Sequence, residues 1–148
     1  MPKLDLAAIA QTSATGYPPE FANDVTGRWY RRLAPAGGLS DFGVSYVTLK
    51  PDAWSSQRHW HEGEDEFVVM IAGEAVLVDD NGRTPMRAGD CAAFPKGDRN
   101  GHVLINESST DCLFVAVGRP SASACHYPDI DLHLPISGIY ERKDRGGF

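Results

Sequence analysis

His59, His61 and Glu66, with Gly73 seven positions after the glutamate, are the residues of this chain whose types and spacing best suit chemistry. In an extended segment residues two apart share a face, so His59 and His61 project together while Trp60 points away. Two imidazoles on one face make a chelating pair. The polar run Glu62-Gly63-Glu64-Asp65 reads as a turn, after which Glu66 opens the apolar run Phe67-Val68-Val69-Met70-Ile71, suited to a strand buried on both sides. A carboxylate heading such a strand needs compensation. If the strand doubles back beside its predecessor, Glu66 arrives near the two histidines, and a cation offsets the cost of burying its charge. Gly73 permits the next reversal.

A fourth donor stands further along. Gly89-Asp90 closes a turn, Cys91 to Phe94 reads as a strand, and Pro95-Lys96-Gly97 turns again before a strand from Gly101 to Asn106 on which His102, Leu104 and Asn106 share a face. The pattern His59-x-His61-x4-Glu66-x6-Gly73, followed by Gly89-x5-Pro95-x-Gly97 and His102-x3-Asn106, resembles the two motifs of the cupins over roughly residues 42–117. The resemblance implies a double-stranded β-helix, or jelly-roll, barrel around one divalent metal held by His59, His61, Glu66 and a second-motif histidine. Cupins usually place that histidine three residues after the glycine of Pro-x-Gly, where this chain has Asn100, whereas His102 stands five after Gly97. His102 is the stronger candidate because imidazole is a far better ligand than a carboxamide. Asn100 is the alternative, with a supporting role beside the ligands.

Three imidazoles and a carboxylate suit iron, manganese, nickel, zinc or copper, and disfavour calcium and magnesium, which prefer oxygen. Strand parity adds Ser55 and Gln57 beside the histidine pair, Val68 and Met70 beside Glu66, and Leu104 beside His102, a mostly apolar pocket of the kind that takes small molecules. Asn106 either joins that pocket or holds the backbone of its own loop. Cupins include oxygenases, decarboxylases, isomerases and plain binders. The resemblance therefore implies a metal-dependent enzyme on a small oxygen-rich metabolite, with a non-catalytic binding or sensor protein as the alternative; no general base stands out. A lone histidine is more often a satisfied polar residue than a ligand, and His126 and His133 take that reading. Glu62, Glu64 and Asp65 read as a solvated turn.

The elements that must position these residues begin near Phe42. Strand candidates recur at Gly43 to Lys50, Ser55 to His61, Glu66 to Ala72, Ala75 to Val78, Arg83 to Arg87, Cys91 to Phe94, Gly101 to Asn106 and Cys112 to Val117, with Asn81-Gly82 as a tight hairpin. This is the signature of an all-β barrel. Residues 1–41 read as an irregular N-terminal arm packing on the barrel, with a short helix from Leu4 to Ala10 and interruptions at Pro18-Pro19 and Pro35 to Gly38; residues 42–118 read as the barrel, and 119–148 as a C-terminal extension of the same domain.

At 148 residues, 42% hydrophobic and 23% charged, the chain has the composition of one ordinary globular domain. A net charge of −6 argues against nucleic-acid or anionic-membrane partners, and Arg28, Arg31 and Arg32 read as a solvated face or a subunit contact. No apolar run approaches a membrane span and the N-terminus lacks a signal-peptide core, so a cytoplasmic protein is expected. Cys91 and Cys112 read as buried strand residues, and all three cysteines as reduced thiols rather than ligands. A homodimer with a small-molecule ligand is the assembly that the resemblance implies.

Overall fold

Alternation of buried and open side chains decides which way each strand faces in the computed structural model, which describes residues 2–119 and 122–148. The strands are β1 (Arg28–Arg32), β2 (Gly43–Leu49), β3 (Trp60–His61), β4 (Glu66–Ala72), β5 (Glu74–Asp79), β6 (Gly82–Arg87), β7 (Cys91–Phe94), β8 (Val103–Ile105), β9 (Cys112–Gly118), β10 (Cys125–His126) and β11 (His133–Leu134). Val47 and Leu49 of β2, Val68 and Met70 of β4, and Cys112 and Phe114 of β9 are buried, two residues apart in each strand. These strands belong to one antiparallel sheet, in the order β1-β2-β9-β4-β7. A second sheet, β6-β5-β8, contributes Met86, Ala75 and Leu104 to the same core. The two layers form the double-stranded β-helix barrel, and burial of each large core side chain contributes about 1.5–3 kcal/mol.

A third sheet, β11-β10-β3, closes the barrel's side. In it Cys125 stands opposite His61 and His126 opposite Trp60, so the segment after the barrel covers the open edge of the ligand-bearing strand. Behind β10 a second apolar cluster of Cys125, Tyr127 and Leu132 packs with Tyr17, Phe21 and Tyr140. Segments from both ends of the chain thus meet on one flank of the barrel. Among the described residues no helix is long and apolar enough to cross a membrane.

Several local expectations change. Arg28–Arg32 is a full edge strand, paired from Arg28 opposite Leu49 to Arg32 opposite Ser45, although its arginines and aromatics show no apolar alternation. The expected strand from Ser55 to His61 survives only as Trp60–His61, with isolated bridges at Trp54 and His59. Its ladder breaks because the Gln57 backbone N–H donates to Tyr17 Oη rather than to a neighbouring strand. The Leu4 to Ala10 helix shrinks to a 3-10 turn, Leu6–Ala8, whose Ala7 N–H donates to the Asp5 side chain. Cys91 is exposed, because β7 is the sheet's outer strand, while Cys112 is buried.

Gly73 holds φ +70° between β4 and β5, and a Cβ there would sit 2.6 Å from the Asp111 carbonyl oxygen. Both the conformation and the contact demand glycine. Gly73→Ala is expected to destabilise the fold by about 1–3 kcal/mol, read as a lowered midpoint in thermal unfolding.

Candidate metal centre

Glu66 is the first residue of β4, opposite Phe94 of β7 on one side and Gly118 of β9 on the other. That placement sends its carboxylate into the barrel toward three rings carried by the opposite wall. His102 Nε2 lies 2.7 Å from Glu66 Oε2, His61 Nε2 3.2 Å from Oε1, and His59 Nε2 3.6 Å from Oε2. His59 and His102 are brought together by a backbone bridge, each N–H donating to the other's carbonyl. Their ring centroids are 4.7 Å apart, and those of His59 and His61 4.8 Å. The structure therefore gathers all four sequence-nominated ligands at one point.

The surroundings decide which atoms face that point. The Gln57 carbonyl, which can only accept, lies 2.9 Å from His59 Nδ1. The ring proton is thereby fixed on Nδ1, and the Nε2 lone pair is directed at the centre, the arrangement a metal-binding histidine requires. Ser56 Oγ adds a second contact at 3.2 Å. His102 Nδ1 is buried without a partner among the described residues, and the ring is held on its face by the Phe94 ring stacked at 3.6 Å and 7°.

Burial opposes ionisation of Glu66, but the hydrogen bond from His102 and the closeness of the His59 and His61 rings outweigh it and hold the carboxyl far below the usual carboxylate range. Burial likewise favours neutral His61, yet hydrogen bonding to Cys125 and Glu66 pushes it up to about 10. Burial lowers His102 against the pull of Glu66. The site thus demands one positive charge, which a proton on His61 or a bound cation can supply. A buried carboxylate with lone-pair nitrogens converging on it fits a first-row divalent ion.

Two donors join that set. Glu64 Oε2 lies 3.7 Å from His61 Nδ1, and burial raises its carboxyl. The Cys125 thiol lies within 4.8 Å of a ring nitrogen of His59 and of His61. Glu64 corrects the solvated-turn reading, because the turn folds inward against Gly118, where an added Cβ would lie 2.6 Å from Glu64 Oε1. Neither residue carries a motif signal; both reach the site through pairing with distant strands. His126 has partners of its own, as a satisfied polar histidine does: it stacks on Trp60 at 4.2 Å and donates from Nε2 to Glu62 at 2.6 Å, with the His133 ring 5.0 Å away.

A cavity of about 600 Å³ opens in front of the centre, walled by Ser55, Val68, Leu104, Phe114, Arg28 and Arg32 among others. A smaller one of about 300 Å³ shares His61, Glu64, Phe94 and His102 with it. Of the other expected lining residues, Met70 is sealed in the core at 1% exposure. The Gln57 amide turns outward to the Phe21 carbonyl and Asp24. Asn100 accepts from the Asp80 N–H, donates to Asp79, and lines only the smaller cavity. Asn106, fully buried, donates to the Leu49 and Thr110 carbonyls and so holds its loop. Arg28, half-buried, and Arg32, exposed, line the cavity, while Arg31, donating to the Ile9 carbonyl, lies off it.

His102→Ala is expected to weaken divalent-metal affinity far more than Asn100→Ala, and Phe94→Ala, which removes the stacked support, by about tenfold. Affinity measured by competition with a chelator should fall in acid. Because protons compete for His61 up to about pH 10, it should rise with pH across the neutral range.

The chain is similar to a sugar phosphate isomerase of the cupin superfamily from Silicibacter pomeroyi, at 44% identity and TM-score 0.94, covering 99% of this chain and 96% of that one. A cupin 2 conserved barrel domain protein from Salinispora arenicola aligns at 25% identity and TM-score 0.58, covering 82% and 89%. An oxalate-binding protein from Thermotoga maritima is 36% identical over 67 residues, 45% of this chain and 54% of the relative, so the match spans about half of that protein. The cupin domain family matches residues 45–118, which include both histidines of the first motif, Glu66 and His102. The chain belongs to the cupin domain family.

Proposed function

We propose that this chain is a metal-dependent enzyme acting on a small oxygen-rich metabolite, with isomerisation of a hydroxycarbonyl compound as its reaction. The observation that carries this reading is the convergence of His59, His61, His102 and Glu66 at the wall of a cavity of about 600 Å³, with the Glu64 carboxylate beside them. Isomerisation, rather than oxygenation or decarboxylation, is favoured by the 44% identity to the Silicibacter pomeroyi sugar phosphate isomerase over nearly the whole of both chains.

His59, His61, His102 and Glu66 would hold a divalent ion, which would supply Lewis-acid polarisation of a carbonyl or hydroxyl oxygen. The chain's own residues do the rest. Val68, Leu104 and Phe114 give the cavity apolar walls that exclude water. Glu64 lines both cavities and is not clamped by the three rings as Glu66 is, so its carboxylate can take the proton from the hydroxyl-bearing carbon beside the carbonyl and return it to the carbonyl carbon, while the hydroxyl proton passes to the carbonyl oxygen. The transfer leaves no net change in oxidation state and needs no co-reactant. Iron, manganese, nickel, zinc and copper all suit the donors.

A second reading, a non-catalytic binding or sensor protein, is favoured by the partial match to the oxalate-binding protein. A homodimer is supported by Trp29, Phe67 and Ile71, apolar residues of the five-stranded sheet that are 36–45% exposed. A cytoplasmic setting is consistent with three free thiols, and the net charge of −6 weighs against nucleic-acid or anionic-membrane partners.

Gently purified protein should carry about one metal equivalent and interconvert a hydroxycarbonyl metabolite without dioxygen. Glu64→Gln should lower kcat by about 100-fold or more while retaining metal. Protein without stoichiometric metal contradicts the reading, and a metabolite bound but left unconverted with or without dioxygen assigns the binder. Light scattering should show a dimer at micromolar concentration.

A further inference from the structure

The main cavity has a second polar wall that the metal-centred reading leaves unused. Arg28, Tyr30 and Arg32 stand two apart on β1, opposite Leu49, Val47 and Ser45 of β2, and all three line the cavity. Val47 and Leu49 are buried core residues, so this face of the edge strand turns inward. Arg28 is half-buried on that face and Arg32 exposed at its end, and a guanidinium withdrawn from water as that of Arg28 is costs free energy unless something neutralises it.

Among the described residues nothing does so. Arg28 Nη1 donates to the Ser55 carbonyl at 3.0 Å and Nη2 to the Ala14 carbonyl at 3.4 Å, both neutral acceptors, and the guanidinium lies 5.3 Å from the Tyr30 ring centroid. Its Nε is shielded from solvent and has no acceptor among the described residues. A guanidinium carries more N–H donors than two carbonyls can take, and the fork they form matches a carboxylate or phosphate. Lys50, Arg58, Arg83, Arg87 and Arg142 each pair with a carboxylate. Among the described residues Arg28 and Arg32 have none, in a chain whose net charge of −6 supplies acids in excess. The acids that line the cavity, Glu64 and Glu66, stand with the histidines. One short segment ties the two walls together: Arg28 bonds the Ser55 backbone, and Ser56 next to it contacts His59.

We propose that Arg28 and Arg32 form an anion-binding subsite on the β1 wall of the cavity, which takes the phosphate monoester or carboxylate of a metabolite whose other end reaches the metal centre. The assignment rests on the metal-centred reading and names the substrate class, an anionic polyoxygenated metabolite. Arg28 is the anchor, already oriented by its two carbonyl contacts, and Arg32, exposed at the rim, adds charge where the ligand enters.

The test is calorimetric titration of the full-length protein as purified, with its metal content measured in every sample, against inorganic phosphate and separately against acetate. At least one of these anions should bind, and Arg28→Gln and Arg32→Gln should each weaken it by about tenfold or more with metal content unchanged; Arg28→Lys should recover part of the loss. Tighter binding of phosphate assigns a phosphate monoester, and tighter binding of acetate a carboxylate. Should Arg28→Gln fail to fold, as circular dichroism would show, Arg32→Gln decides. Folded variants that bind both anions like the wild type, or a wild type that binds neither, overturn the subsite and leave the metal reading standing if metal is present. A metal-free wild type whose anion binding still depends on both arginines has the opposite meaning: the subsite stands and the metal reading falls.

Discussion

A half-buried carboxylate at the head of β4 is the constraint on which the rest of this structure depends. Glu66 is half-buried between the strands on either side of it, and a lone ionised carboxylate in that position would be costly. Its cost is met by three imidazoles from two other segments, which can reach it only if the 55–61 segment lies alongside β8 and the chain then doubles back through the Glu62 to Asp65 turn. The backbone exchange between His59 and His102 holds that arrangement with no side chain involved. The electrostatic demand at one point thus fixes how three stretches of chain must meet.

The rings are oriented by different means. His59 is held by hydrogen bonds, His61 sits between carboxylates and a thiol, and His102 depends on ring stacking. Closure of the flank by β10 matters as much as the barrel itself, because Cys125 is brought opposite His61 and His126 opposite Trp60. A segment that contributes little to the main core therefore completes the environment of the ligands. The cavity in front of them is polarised, with carboxylates at the histidine wall and unpaired guanidinium groups on β1. A molecule neutral at one end and anionic at the other matches that distribution better than a uniformly apolar one.

Much of this was legible in the order of residues. Period-two spacing placed His59 and His61 on one face, the apolar run after Glu66 marked a buried strand, and the spacing around Gly73, Gly89, Pro95 and Gly97 pointed to the cupin barrel. The β1 strand was hidden because Arg28-Trp29-Tyr30-Arg31-Arg32 has no apolar alternation to read, since its inward face is lined for a cavity and not for a core. The strand expected over 55–61 was too long for a related reason. The segment's polar groups bond to the N-terminal arm, and no propensity scale sees a partner forty residues away.

The sequence by itself determined the barrel class and the identities of His59, His61, Glu66 and His102 as candidate ligands, because strand parity and turn chemistry are local properties that survive without knowledge of the fold. Only the tertiary structure decided that His102 and not Asn100 faces Glu66, that Glu64 and Cys125 stand beside His61, and that Arg28 and Arg32 face the cavity. Those outcomes depend on pairing between strands far apart in the chain. Long-range register, and the charges it places together in a low-dielectric interior, cannot be read from spacing along one strand.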